Sequence, residues 1–297
     1  MTDLRQRALA AAVAAARRHG LRVEEPLLLH DASNVLVHLR PAPVVARVAT
    51  TTAMSRDGGC EHLAREIAIA AHLARAGAPV IPPSGEVDPG PHMEDGMSLS
   101  FWQLAERLPG PPSPAAAGRA LRECHEALAG AHLQLPPLEA LHEAGRVLDM
   151  PVGAEIHSAD DMAMLREGLA TVLERLSGLP LGPVHGDSHL ANVMHAENGT
   201  LWFDWEDAFA GPVEWDLGVL VGQARIFGAD ETLQQAALRA YGPAEEDTLD
   251  LMVEARALQT AAWAALVVSR RPHRRPMLER NLEWLRARRR SSRRPVP

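Results

Sequence analysis

Residues 34–39 and 44–48 are two runs of β-type residues, and the Pro41-Ala42-Pro43 turn between them makes the pair a predicted hairpin. Ahead of it, an alanine-rich stretch that Thr2 or Asp3 can cap runs to Gly20 and predicts a first helix. Leu63, Ile67, Ala70, Ala71 and Leu73 recur at helical spacing within residues 61–76, and Gly77 stops that run before Pro79. Residues 82–96 are rich in Pro and Gly and read as loop, and 98–108 read as extended. Pro109-Gly110-Pro111-Pro112 then marks the expected boundary between a small β-rich lobe, residues 1–108, and a larger, mainly α lobe, residues 109–297. In that second part helical periodicity covers 115–133, 160–176 and several segments between Glu214 and Arg290, with one β island around 184–204. The expected class is therefore α+β.

Composition adds bounds. With 46% hydrophobic and 23% charged residues the chain is that of an ordinary soluble globular protein. Two cysteines, Cys60 and Cys124, make no disulfide framework and no metal-ligand spacing, so a reducing, cytoplasmic setting is expected. The apolar run 8–16 is short, has Asp3 before it and Arg17-Arg18-His19 after it, and is read as helix rather than signal peptide. No segment is expected to supply the roughly 20 apolar residues of a membrane span. Residues 270–297 hold eleven arginines and two glutamates, +9, which leaves −17 on the rest of a chain whose net charge is −8. An acidic body suits a cationic substrate and equally suits plain solubility. The arginines alternate with Met277, Leu278, Leu282, Trp284 and Leu285, the pattern of a docked terminal helix followed by a solvated tail rather than of a nucleic-acid surface. The chain contains no lysine.

The chemistry concentrates in residues 184–204. Asn198-Gly199 is a two-residue hairpin signal, because both positions of a type I′ turn need positive φ. On that register Glu197 faces Thr200, Val193 faces Asp204 and Asn192 faces Trp205, which puts Asn192 and Asp204 about 5–8 Å apart. Asp187 lies five residues before Asn192. An amide oxygen beside a carboxylate suits Mg2+, and a separate carboxylate can accept the proton of an attacking hydroxyl. Phosphoryl transfer needs that combination of in-line positioning and charge neutralisation.

His185-Gly186-Asp187, Asn192, the Phe203-Asp204-Trp205-Glu206 run and Gly211-Pro212 followed by Glu214-Trp215-Asp216 resemble the signature of the aminoglycoside phosphotransferase and choline kinase family, relatives of protein kinases. The resemblance implies a two-lobed protein-kinase-like fold and a small-molecule kinase using ATP or GTP with Mg2+. It implies Asp187 as catalytic base, Asn192 and Asp204 as metal ligands, Asp216 as acceptor for the catalytic-loop backbone, and His185 as a structural member of that loop. Arg47 stands where protein kinases place the strand lysine that meets the α- and β-phosphates, and Glu66 where its helix partner stands. Arginine keeps the charge with a bulkier fork. Ser33 and Asn34, in the His30 to Asn34 segment, can offer donors to a phosphate, although Asp-Ala-Ser-Asn is also a generic turn. Backbone groups from Glu106 to Leu108 are expected at the base.

Only nine residues separate Asp204 from Glu214, too few for a peptide-displaying activation segment, so the acceptor is expected to be a small hydroxylated molecule. The resemblance favours an antibiotic or related metabolite. Two other readings are a metal-dependent hydrolase built on His185, Asp187 and His189, and a non-catalytic nucleotide-binding module. For a cationic acceptor the acidic candidates are Glu206 and Asp207, with Asp160 and Asp161 or Glu245 to Asp247 reading rather as helix starts.

Overall fold

Val35, Val37 and Leu39 are buried while Leu36, His38 and Arg40 are at least partly open, so the alternation is that of a strand with one face on a core. The computed structural model describes residues 2–31, 34–50 and 60–292. Its first elements are α1 (Thr2–Arg18), β1 (Val23–Asp31), β2 (Asn34–Pro41), β3 (Val44–Ala49), α2 (Cys60–Arg75), β4 (His92–Glu94), β5 (Met97–Gln103), α3 (Pro114–Leu128), α4 (Glu139–Asp149), α5 (Pro151–Ile156) and α6 (Ala159–Leu176). They are followed by β6 (Gly182–Val184), β7 (Val193–Ala196), β8 (Gly199–Trp202), β9 (Phe209–Gly211), α7 (Glu214–Phe227), α8 (Glu231–Tyr241), α9 (Glu246–Arg270) and α10 (Arg275–Ser292). The chain divides into two compact units. The first is residues 1–113, 126–134 and 193–207, and the second is 114–125, 135–192 and 208–297.

In the first unit five antiparallel strands run in the order β1-β2-β3-β5-β4. Alanines 8, 11, 12, 15 and 16 of α1 pack on Val35, Val37, Leu39, Val44, Ala46, Val48, Leu99 and Phe101, and their small side chains let the helix lie close to the sheet. β1 is a strand the sequence pattern did not predict. It sits at the sheet edge, where Pro26 costs no ladder bond, and its register slips twice, between Val23 and Glu25 and between Leu28 and His30. β5 is buried along six of its seven residues, as an interior strand covered on both faces should be. The β7–β8 hairpin also belongs here: Trp202 bridges Val80 in parallel, its N–H donating to the Pro79 carbonyl at 2.9 Å.

That hairpin corrects the expected register. Val193 pairs with Trp202 and Ala196 with Gly199, so Glu197 and Asn198 form the loop instead of Asn198 and Gly199. Of Glu197, Asn198 and Gly199 it is Gly199, the first residue of β8, that has positive φ, +117°. A type I′ turn needs two such residues in succession, so the turn forms one residue earlier and the glycine takes the exceptional conformation after it.

The second unit is built around α9, whose buried set includes Leu249, Met252, Val253, Leu258, Ala262 and Val268. Helices α4, α5, α6, α7 and α10 pack against it. At 25 residues α9 is long and apolar enough by composition to cross a membrane, which amends the expectation that no segment would be. Its burial among five helices makes it the core helix of this unit. Gly218 of α7 allows close contact: a Cβ there would lie 2.6 Å from Met252 Cβ. α10 buries Leu278, Leu282 and Leu285. Three of its arginines form ion pairs: Arg286 with Asp161, Arg288 with Glu254, and Arg289 with Glu167.

Candidate functional site

The loop after β6 is shaped by one carboxylate. Asp216, fully buried in the first turn of α7, accepts the His185 N–H on Oδ2 at 2.6 Å and the Gly186 N–H on Oδ1 at 2.9 Å. His125 of α3 donates to Oδ2 through Nε2 at 2.8 Å, and its Nδ1 lies 2.9 Å from the Tyr241 hydroxyl. Ser188 Oγ donates to the Asp216 carbonyl at 2.7 Å and Trp215 Nε1 to the Gly186 carbonyl at 2.9 Å. Burial alone would raise the Asp216 carboxyl. The His125 hydrogen bond and charge, the His185 charge and its backbone donor outweigh that and hold it below the ordinary range.

The loop presents Asp187, partly open to solvent. Arg256 of α9 forms an ion pair with Asp187 Oδ1, and His189 Nε2 lies 3.2 Å from Oδ2. Burial pushes the Asp187 carboxyl up, but the Arg256 charge, the His189 hydrogen bond and charge, and His185 pull it far below the usual carboxylate range. Asn192 donates Nδ2 to the Asp187 carbonyl at 2.9 Å and approaches Oδ2 at 3.4 Å. A carbonyl can only accept, so the Asn192 amide oxygen is the atom left for a cation.

In the first unit Arg47 of β3, 5% exposed, is the centre of a second cluster. It forms an ion pair with Glu66 of α2, donates Nη2 to Asp204 Oδ1 at 2.5 Å, and lies 2.9 Å from Glu206 Oε2. Burial would lower the arginine's pKa. Asp204, Glu206 and Glu66 more than reverse that and fix its charge. Glu66 moves up, through burial first and then repulsion from Asp204 and Glu206, against the pull of Arg47. Asp204 is the open member of the cluster, its side chain 32% exposed, and its backbone has φ +70°, a conformation non-glycine residues adopt sparingly.

One expected assignment changes here. Glu206 is buried against Arg47 and accepts from Asn34 Nδ2 at 3.3 Å, so it neutralises the arginine instead of offering an acidic surface to a cationic acceptor. Asn34, one of the two residues expected at a phosphate, makes this bond with its side-chain amide. Asp207 stays partly exposed, Glu106 is exposed, and the Leu108 N–H donates to the His195 carbonyl at 2.8 Å, which leaves the Leu108 carbonyl for a base contact. Ser33 lies outside the described residues. Asp161 and Glu245 act at helix starts: Ser158 caps α6 at the Asp161 N–H, and Glu245 accepts from the Asp247 and Thr248 amides. Sequence reasoning missed Arg256, His125 and Tyr241. Each reaches the site across 69 or more residues, and none carries a local motif.

Residues 24–252 match the family model described as the phosphotransferase enzyme family, APH. The chain belongs to this family. It is a small-molecule phosphotransferase that acts on hydroxyl groups, and its fold is the two-lobed α+β fold of the protein-kinase-like enzymes. An amicoumacin kinase in complex with AMP-PNP, Ca2+ and Ami shares this fold at 13% identity and TM-score 0.71, over 97% of this chain and 96% of that one. The choline kinase LicA from Streptococcus pneumoniae does so at 12% identity and TM-score 0.66, over 92% and 98%. An AMP-bound spectinomycin phosphotransferase does so at 15% identity and TM-score 0.61, over 93% and 97%. No curated protein sequence matches the chain. The metal-hydrolase alternative for this phosphotransferase finds no footing among the described residues. The one His/Cys/Asp/Glu group with ligand atoms mutually within 4.8 Å is His19, Asp88 and His92, in the first unit, and it includes none of His185, Asp187 and His189.

Proposed function

We propose that this phosphotransferase moves the γ-phosphate of ATP or GTP to a hydroxyl of an aminoglycoside-like antibiotic or related metabolite, Asp187 orienting the hydroxyl and taking its proton. Asn192 and Asp204 hold Mg2+. Arg47, braced by Glu66, meets the α- and β-phosphates, and backbone groups of Glu106 and Leu108 meet the base. Asp216 and His185 keep the loop in shape. The observation that carries this reading is the Asp187 loop, whose two preceding amides are both fixed on the buried Asp216 carboxylate. Such a turn delivers a carboxylate in one orientation, which a reaction governed by positioning requires.

The donor set fits magnesium, being an amide oxygen and a carboxylate oxygen. One guanidinium faces three carboxylates in the first unit, an excess of negative charge that a divalent cation offsets. When bound, Mg2+ supplies charge neutralisation on the phosphate oxygens. The named ligands and activities of the amicoumacin and spectinomycin kinases support an antibiotic acceptor and with it a resistance role. A chain with only two cysteines builds no disulfide framework, which supports a cytoplasmic setting.

Phosphate transfer from ATP and from GTP to a panel of aminoglycosides, other hydroxylated antibiotics, choline-like alcohols and sugars tests the reading. Asp187→Ala and Asp204→Ala should each nearly abolish turnover with the fold intact. A variant of either that keeps full rate removes that residue's assignment.

A further inference from the structure

We propose that Arg256 is a positioning residue for phosphoryl transfer, an inference that rests on Asp187 being the residue that receives the acceptor hydroxyl. In that step the hydroxyl oxygen bonds to the γ-phosphorus, the bond from phosphorus to the departing nucleoside diphosphate oxygen breaks, and the proton passes to Asp187.

A carboxylate offers about four lone-pair sites. On Asp187, Arg256 Nη2 takes one on Oδ1, while His189 Nε2 at 3.2 Å and Asn192 Nδ2 at 3.4 Å approach Oδ2. Three donors against about four sites leave one direction for an incoming hydroxyl. His189 and Asn192 belong to the same short loop as Asp187 and move with it. Arg256 comes from the core helix α9, between the buried Ala255 and Ala257, with its side chain only 13% exposed. Its Nη1 donates to Gln259 Oε1 at 3.0 Å, which fixes the guanidinium plane from its own helix. Arg256 is thus the contact that ties the carboxylate plane to the rigid part of the unit, and a misplacement of about 1 Å can cost about 100-fold in rate.

The test compares wild type, R256M, R256Q, R256K and D187N. It follows phosphate release with water as acceptor and transfer to the acceptor the panel returns, with kcat and nucleotide KM separated and each variant's melting temperature recorded. R256M should lose about 10- to 100-fold in kcat while nucleotide KM moves less than about threefold, and R256K should recover part of the loss. R256Q, which keeps a neutral donor, is read by the same criterion if R256M fails to fold. An R256M or R256Q enzyme within about twofold of wild-type kcat, beside a D187N enzyme that has collapsed, overturns the role of Arg256 and leaves Asp187 in place. D187N at wild-type rate overturns the Asp187 reading instead.

Discussion

Asp216→Asn is a nearly isosteric change with a large expected cost. The carboxylate serves three donors: the His185 and Gly186 amides at 2.6 and 2.9 Å and His125 Nε2 at 2.8 Å. Hydrogen bonds to a charged group contribute about 1.5–3 kcal/mol and neutral ones about 0.5–1.5, so losing the charge costs about 1 kcal/mol for each of the three. One side of the new amide must also turn its NH2 toward a buried N–H, adding about 1–3 kcal/mol. The total, about 4–6 kcal/mol, is a large share of the roughly 5–15 kcal/mol that holds a domain folded. At about 2–4 °C per kcal/mol, melting should fall by about 10 °C or more. Urea denaturation and thermal melts read stability, and kcat reads the loop. The pH dependence follows with a definite sign. A carboxyl held below its unfolded value adds stability that is fully present above about pH 4 and is lost as pH falls through the folded value, so Asp216→Asn should flatten the acid limb of the stability curve. A variant that melts within about 2 °C of wild type would show that the three donors do not depend on the charge.

Arg47→Met should cost about 3–5 kcal/mol, because it takes the cationic partner from the buried Glu66 and Glu206 carboxylates, and Arg47→Lys should recover part of this. Wild-type stability in urea, with only nucleotide affinity lost, would contradict the burial argument. Gly218→Ala should destabilise by about 1–3 kcal/mol, since its Cβ would meet Met252 Cβ at 2.6 Å and the Met252 carbonyl carbon at 2.9 Å. Gly222→Ala, whose nearest neighbour is the end of Ile226 at 3.5 Å, should be neutral or stabilising by up to about 1 kcal/mol, and equal losses at the two sites would refute the packing account. Arg286→Met should lower stability by about 1–2 kcal/mol by removing all three hydrogen bonds to the largely buried Asp161, and an unchanged melt would make that pair a surface ornament.

The parts of the fold legible in the sequence are those whose signals are local. The β2 alternation, the α2 spacing and the Asn and Asp pattern of the Asp187 loop each lie within one short stretch. The misses have physical causes. α4 begins at Leu138 with φ +50° and no side-chain cap, so the usual start signal is absent. α5 is six residues long and opens on Pro-Val-Gly, which reads as loop. β1 carries a proline and two register slips, tolerable only at an edge that a linear pattern does not reveal. Asn198-Gly199 announced a hairpin correctly and its register wrongly, because one positive φ was available rather than two. Site residues followed the same division: Asp187 and Asn192 sit in one motif, whereas Arg256 and His125 are delivered by helices distant in sequence.

Because residues 193–207 belong with the amino-terminal unit, no single cut yields either unit whole. A fragment ending at residue 108 would forfeit the Trp202 strand that covers Pro79 and Val80 and the His195 carbonyl that satisfies Leu108. Neither half is a portable module for grafting or separate expression.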